Sequence, residues 1–307
     1  MFFFEGYTPL SLAAALAILA ALLAINEATR RSRVLSVLAY VVAPIAFTLF
    51  LWPRTAGGGS NSGYWFAWVK TYSALAGVVG FMLFRHVKRL ERNRLMMAFP
   101  AFILVLNIVE AILREIEVRG AQGIVENGLF LQGGPWNTAN AAAGILMVLS
   151  MSGFMGVRIA KTKSRDMVWP DQLWPWIIAY GLWNMSYCYN CIPDRSFYTG
   201  VVLIGAGTLA DFAMKRGAWL QHRAQTLALF AMFSLSFPSY AELPAFSITS
   251  THNPNAKMAL GLLSLAVNLA VFAWQLRSAI RGRKNPLTMD VHGGTKAYAK
   301  ALAANNL

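Results

Sequence analysis

Nine apolar stretches, each close to the length that crosses a bilayer, recur along this chain and point it toward a membrane-embedded helical fold. They run from about Thr8 to Ile25, Leu35 to Trp52, Tyr64 to Phe84, Leu95 to Leu113, Thr138 to Arg158, Trp174 to Arg195, Phe197 to Met214, Ala224 to Tyr240 and Met258 to Leu276. In hydrocarbon every backbone N–H and C=O needs an internal partner, so each stretch is expected as a helix. A soluble chain that is 57% hydrophobic and 13% charged would have to hide several such runs in one core. The opening MFFFEGYTPL lacks a basic segment, so the first stretch reads as a retained span and not a cleaved signal. The expectation is an all-α polytopic transmembrane bundle of about nine spans over residues 1–284. A short cytoplasmic tail, 285–307, follows with one short helix near Thr295 to Ala303.

The net charge of +14 would suggest nucleic acid in a soluble protein, but its placement gives it another meaning. With alternate connections on one side, 21 of the 27 Lys and Arg residues gather there. Five fall on the other side, Arg54, Arg114, Arg119, Arg195 and Lys257, and Lys70 lies within a span. Short cytoplasmic loops carry such an excess, which puts the N-terminus outside and the C-terminus inside. The basic face then reads as topogenic and as facing anionic lipid headgroups, with no nucleic-acid partner. No internal repeat divides the spans into matching halves. Residues 114–137 form the longest connection, and its GLFLQGGPWN portion either lies along the interface or dips in as a re-entrant segment.

Trp174 to Arg195 organises the candidate site. Its second half holds Trp183, Asn184, Tyr187, Cys188, Tyr189, Asn190 and Cys191, among which are hydrogen-bonding groups that hydrocarbon cannot solvate. Lys70 falls about 9 Å below the outer end of its span, and Asn107 and Glu110 about 5 to 9 Å below theirs, at about 1.5 Å per residue. Asn140 stands at the outer start of its span, with Asp194, Arg195 and Glu242 just beyond theirs. This points to an outward-opening polar cavity with substrate-binding residues Lys70, Asn107, Glu110, Asn140, Trp183, Asn184 and Tyr187. Lys70 and Glu110 share a depth and are expected to face each other as an ion pair or through water. Their alternative is to snorkel separately to the interface.

Cys188 and Cys191 stand at i and i+3 on one helical face, which leaves three readings open: buried thiols, a disulfide, or a metal or redox pair. One CxxC with no second thiol pair and no nearby histidine names neither a metal nor a cofactor. His222 and His252 fall on opposite sides of the membrane in this topology, and Asp211 with Lys215 one turn later reads as a solvated helix end. Walker, HExxH, GxSxG and dinucleotide motifs are missing from the sequence.

The segments TAGGGSNSGYWFAWVKTYSALAG, GGPWNTAN, WPDQLWPWIIAYGLWN, YNCIPDRSFYTG, KRGAWLQHRAQTLALF and THNP resemble those of a family of bacterial multi-pass membrane proteins known only as a domain of unknown function. The resemblance spans nearly the whole chain and implies a bacterial inner-membrane protein, without a substrate or an assigned site. From the residues, the leading expectation is a transporter or channel-like protein that binds a small polar or ionic solute, with homo-oligomers left open. The alternatives are an intramembrane enzyme using thiol redox or acid/base chemistry, and a structural or assembly subunit of a membrane complex.

Overall fold

The computed structural model describes residues 2–56, 65–125 and 128–307. Most of the glycine-rich loop after the second span, and Tyr64 at the expected start of the third, lie outside the described residues. Each apolar stretch contains a helix: α1 (Pro9–Arg31), α2 (Arg33–Thr55), α3 (Trp65–His86), α4 (Arg94–Val118), α5 (Pro135–Leu149), α6 (Trp174–Cys191), α7 (Tyr198–Met214), α8 (Trp219–Ser236) and α9 (Pro254–Gly282). The short α10 (Lys296–Ala303) follows, with Thr295 as its N-cap. Among the described residues, α1 to α4 and α9 are long and apolar enough to cross a membrane, and α7 is a shorter apolar helix. Leu16, Phe50 and Leu95 on their outer faces are 66%, 70% and 77% exposed, a surface suited to lipid.

Helix starts follow local chemistry. Thr8 caps α1 by accepting from Ser11 N at 3.0 Å while Ser11 Oγ accepts from Thr8 N at 2.8 Å, and Pro9 supplies a first residue that needs no N–H partner. Asn93 and Asn253 cap α4 and α9 in the same way, each accepting at 2.9 Å. Pro44 lies within α2 and has no N–H to give. The ladder on either side of it loosens into π-helical turns, Leu38–Val42 and Phe47–Leu51.

The core centres on α5, which packs against α4, α6 and α9. Close approach needs Gly144: a Cβ there would lie 2.6 Å from Ile112 Cγ1 and 2.9 Å from Trp183 Nε1. Three short antiparallel pairs tie the ends among the described residues: β1 (Phe4–Glu5) with β6 (Thr249–Ser250), β2 (Gln122–Ile124) with β3 (Phe130–Gln132), and β4 (Arg158–Ile159) with β5 (Met167–Val168).

Several boundaries differ from the sequence reading. Helix α4 continues four residues past Leu113 to Glu117 and on to Val118, and the connection after it is the β2–β3 pair, whose Leu131 is buried. Helix α5 ends at Leu149, because the chain turns at Ser150 and the basic residues that follow form β4 and the loop to β5. Helix α8 begins five residues before Ala224, which draws Arg223 into the bundle. Asp211 is not a solvated helix end: it is 3% exposed and faces the backbone N–H groups of Gly217, Ala218 and Trp219, where α8 begins. Lys215 instead donates to Ala304 O at 2.6 Å.

Arginines gathered at this end are partly consumed by protein. The buried Asp166 meets Arg30 at 2.8 Å and Arg85 at 3.8 Å, and accepts from Ser164 Oγ at 2.6 Å and Gln221 Nε2 at 3.0 Å. Arg85 also donates to the carbonyls of Arg30, Ser164 and Arg165. Neither Arg30 nor Arg85 faces lipid, since they are 5% and 1% exposed. The tail is docked as well. Asp171 accepts from Val291 N at 3.0 Å and His292 N at 2.7 Å, Arg158 pairs with Asp290 at 3.1 Å, and Asn305 donates to Arg216 O.

Candidate functional site

A cavity of about 240 Å³ lies between α3, α4, α6, α7 and α8. Its lining follows α6 from Tyr180 to Cys191, about 16 Å at about 1.5 Å per residue, so it reaches deep into the bundle. Tyr180, Trp183 and Tyr187 recur at helical spacing and form one wall, with centroids 5.8 Å apart for the first pair and 6.3 Å for the stacked second pair. Asn184 donates to Tyr180 OH at 3.3 Å and accepts from Cys188 Sγ at 3.5 Å.

Lys70 and Asn107 line the cavity from α3 and α4. Lys70 Nζ donates to Asn107 Oδ1 at 3.1 Å and Glu110 Oε2 at 3.0 Å. Asn107 is oriented for this by its own amide, which donates to Ile103 O at 2.9 Å. The pair bridges two helices, with Lys70 27% and Glu110 36% exposed. At the same end, Arg195 meets Asp194 at 3.2 Å and Glu242 at 3.7 Å. Burial pushes the Asp194 carboxyl above its ordinary range, against the opposing pull of Arg195.

Asn140 does not line this cavity. It belongs to a buried cluster behind the Trp183 wall, built on Glu115, which is 0% exposed. Glu115 accepts from Asn137 at 2.6 Å, from Asn140 at 2.7 Å and from Asn190 at 3.3 Å, and the Cys191 thiol reaches the same carboxylate. Asn140 is fixed from the other side: Ser264 Oγ donates to its Oδ1 at 2.8 Å, and Trp183 Nε1 donates to its backbone carbonyl at 3.1 Å. The cavity and this cluster thus share Trp183 and Cys191 as a partition.

The remaining expected residues, Lys70, Asn107, Trp183, Asn184, Tyr187, Cys188 and Cys191, all line the cavity, and Glu110 meets Lys70 beside it. Cys188 and Cys191 are free, buried thiols, so the disulfide alternative is not what the structure holds. Among the described residues no three His, Cys, Asp or Glu side chains are grouped to hold a metal. Sequence reasoning missed Glu115, Asn137 and Arg223, and it named Asn190 in the organising stretch without giving it a place in the site. Glu115 had a usable signal: Leu104, Ile108, Ala111 and Val118 recur at helical spacing on its buried face.

These features define the class: a helical membrane protein with an aromatic-walled internal cavity and a separate buried carboxylate cluster. Within that class, the chain belongs to the Family of unknown function (DUF5692), whose model matches residues 6–304. Neither a curated protein nor a solved structure matches the chain.

Proposed function

We propose that this is a multi-pass protein of about nine spans, N-terminus outside and C-terminus cytoplasmic, in a bacterial inner membrane, acting as a transporter or channel-like protein. It binds a small solute in the cavity beside Lys70, Asn107, Asn184 and Tyr187. The observation that carries this reading is the cavity itself, which has polar side chains from α3, α4 and α6 around one space within an apolar bundle. The Lys70–Glu110 bridge supplies a contact between α3 and α4 that solute could loosen or reinforce.

Proteoliposomes tested against a panel of small polar and ionic solutes provide the experiment. A solute that binds and moves with the unaltered protein is expected to do neither with Lys70→Met or Glu110→Gln, both still folded and inserted. Unchanged binding and flux in both variants would remove the reading.

A further inference from the structure

One cation in the cavity has no anion beside it. Arg223 stands on the second turn of α8, is 8% exposed, and lines the cavity together with Tyr180, Leu220 and Ala224. Its Nε donates to Tyr180 OH at 3.3 Å, and its guanidinium carbon lies 5.9 Å from the centre of that ring. Its Nη1 is buried with no hydrogen-bond partner.

The other cations of the lining are answered. Lys70 meets Glu110, Arg114 meets Glu117 at 2.7 Å, and Arg195 meets Asp194. Among the described residues no carboxylate pairs with Arg223. A desolvated guanidinium without a counter-ion is costly to keep, and its planar fork suits the two oxygens of a carboxylate or phosphate. The lining also carries the apolar side chains of Phe81, Leu104, Leu227 and Phe230 beside the aromatic wall of α6. Its volume of about 240 Å³, just under the roughly 300–1,000 Å³ usual for ligand pockets, suits one short chain or one ring.

We propose that the solute is a small amphiphilic oxyanion, with a carboxylate or phosphate head seated on Arg223 and an apolar body lying along Tyr180, Trp183 and Tyr187. This rests on the solute-binding reading above and names the substrate class of that same cavity. Head and body are recognised at separate places, so both are required for tight binding.

Calorimetry on the full chain in phosphatidylcholine nanodiscs, with empty nanodiscs as the blank, tests this using hexanoate, hexyl phosphate, hexanol, hexylamine and inorganic phosphate. Hexanoate or hexyl phosphate is expected to bind, with the tighter of the two identifying the head. Hexanol and hexylamine should bind at least about tenfold more weakly, and Arg223→Gln should weaken the anion by roughly ten- to a hundredfold, with partial recovery in Arg223→Lys. Inorganic phosphate binding as tightly as hexyl phosphate overturns the amphiphile, and hexanol binding as tightly as hexanoate overturns the anion. Anion binding that survives Arg223→Gln but is lost in Lys70→Met overturns this inference while leaving the solute-binding reading intact. Failure of every amphiphile, while polar solutes bind in a Lys70-dependent way, does the same. If Arg223→Gln does not fold, the head-group series on the unaltered protein decides by itself.

Discussion

Replacing Glu115 tests the buried cluster most directly, because its partners are fixed in direction. Asn137 Oδ1 accepts from Gly134 N at 2.9 Å and Asn140 Nδ2 also donates to the Trp183 carbonyl at 3.2 Å, so neither amide can turn over without breaking a bond. Both must point Nδ2 at residue 115, and only two acceptor oxygens satisfy both. Asn190 differs, since its Oδ1 has no partner and its amide is free to reverse. Glu115→Gln therefore leaves one fixed donor facing an N–H, at about 1–3 kcal/mol for one buried unsatisfied group. Glu115→Ala strands three amides, at about 3–9 kcal/mol before any cavity cost. The chain has only two cysteines, both buried, so a thiol-reactive fluorogenic dye reports unfolding of the purified protein on heating. The expected order of melting temperature is native, then glutamine, then alanine, with tryptophan fluorescence as a second probe. An alanine variant that melts with the native protein, or equally with the glutamine variant, would refute the reasoning.

Two further predictions concern the docked tail. Burial holds the His292 imidazole below its ordinary 6.5, with Lys284 adding to the effect and Asp171 opposing it. A depressed folded value means that the unfolded chain binds the proton first, so stability is present above pH 6.5 and is lost as pH falls below it. The margin in melting temperature of the native protein over His292→Gln should shrink between pH 7.5 and 5.5. Asp171→Ala removes the acceptor for Val291 N, His292 N and Ser152 Oγ, so the exposed Lys296 and Lys300 should become trypsin-sensitive in the folded protein. Equal cleavage of native and variant protein counts against tail docking through Asp171.

What the sequence made legible was where hydrocarbon dictates the answer. Apolar runs marked the helices, and the shared depth of Lys70 and Glu110 suggested their contact, which the structure places at 3.0 Å. Ends and destinations were harder. Arg114, Glu115 and Glu117 look like a helix leaving the membrane, yet Glu115 is the most enclosed carboxylate on α4, answered by asparagines that come from α5 and α6. Charge counting treats every loop arginine alike and cannot tell a solvated Arg31 from Arg30, which turns inward to Asp166. For the same reason Arg223 was read as part of a basic loop, although α8 already encloses it.

The knot around Asp166 also orders the making of the protein. Arg30 meets Glu27 on its own helix at 2.6 Å but must wait 136 residues for Asp166, which then waits a further 55 residues for Gln221. At roughly 5–20 residues per second of synthesis, the first helix spends on the order of ten seconds with that guanidinium held by Glu27 alone. The contacts through Asp166 that tie α1 and α3 to α8 therefore close only after the ribosome has passed the start of α8.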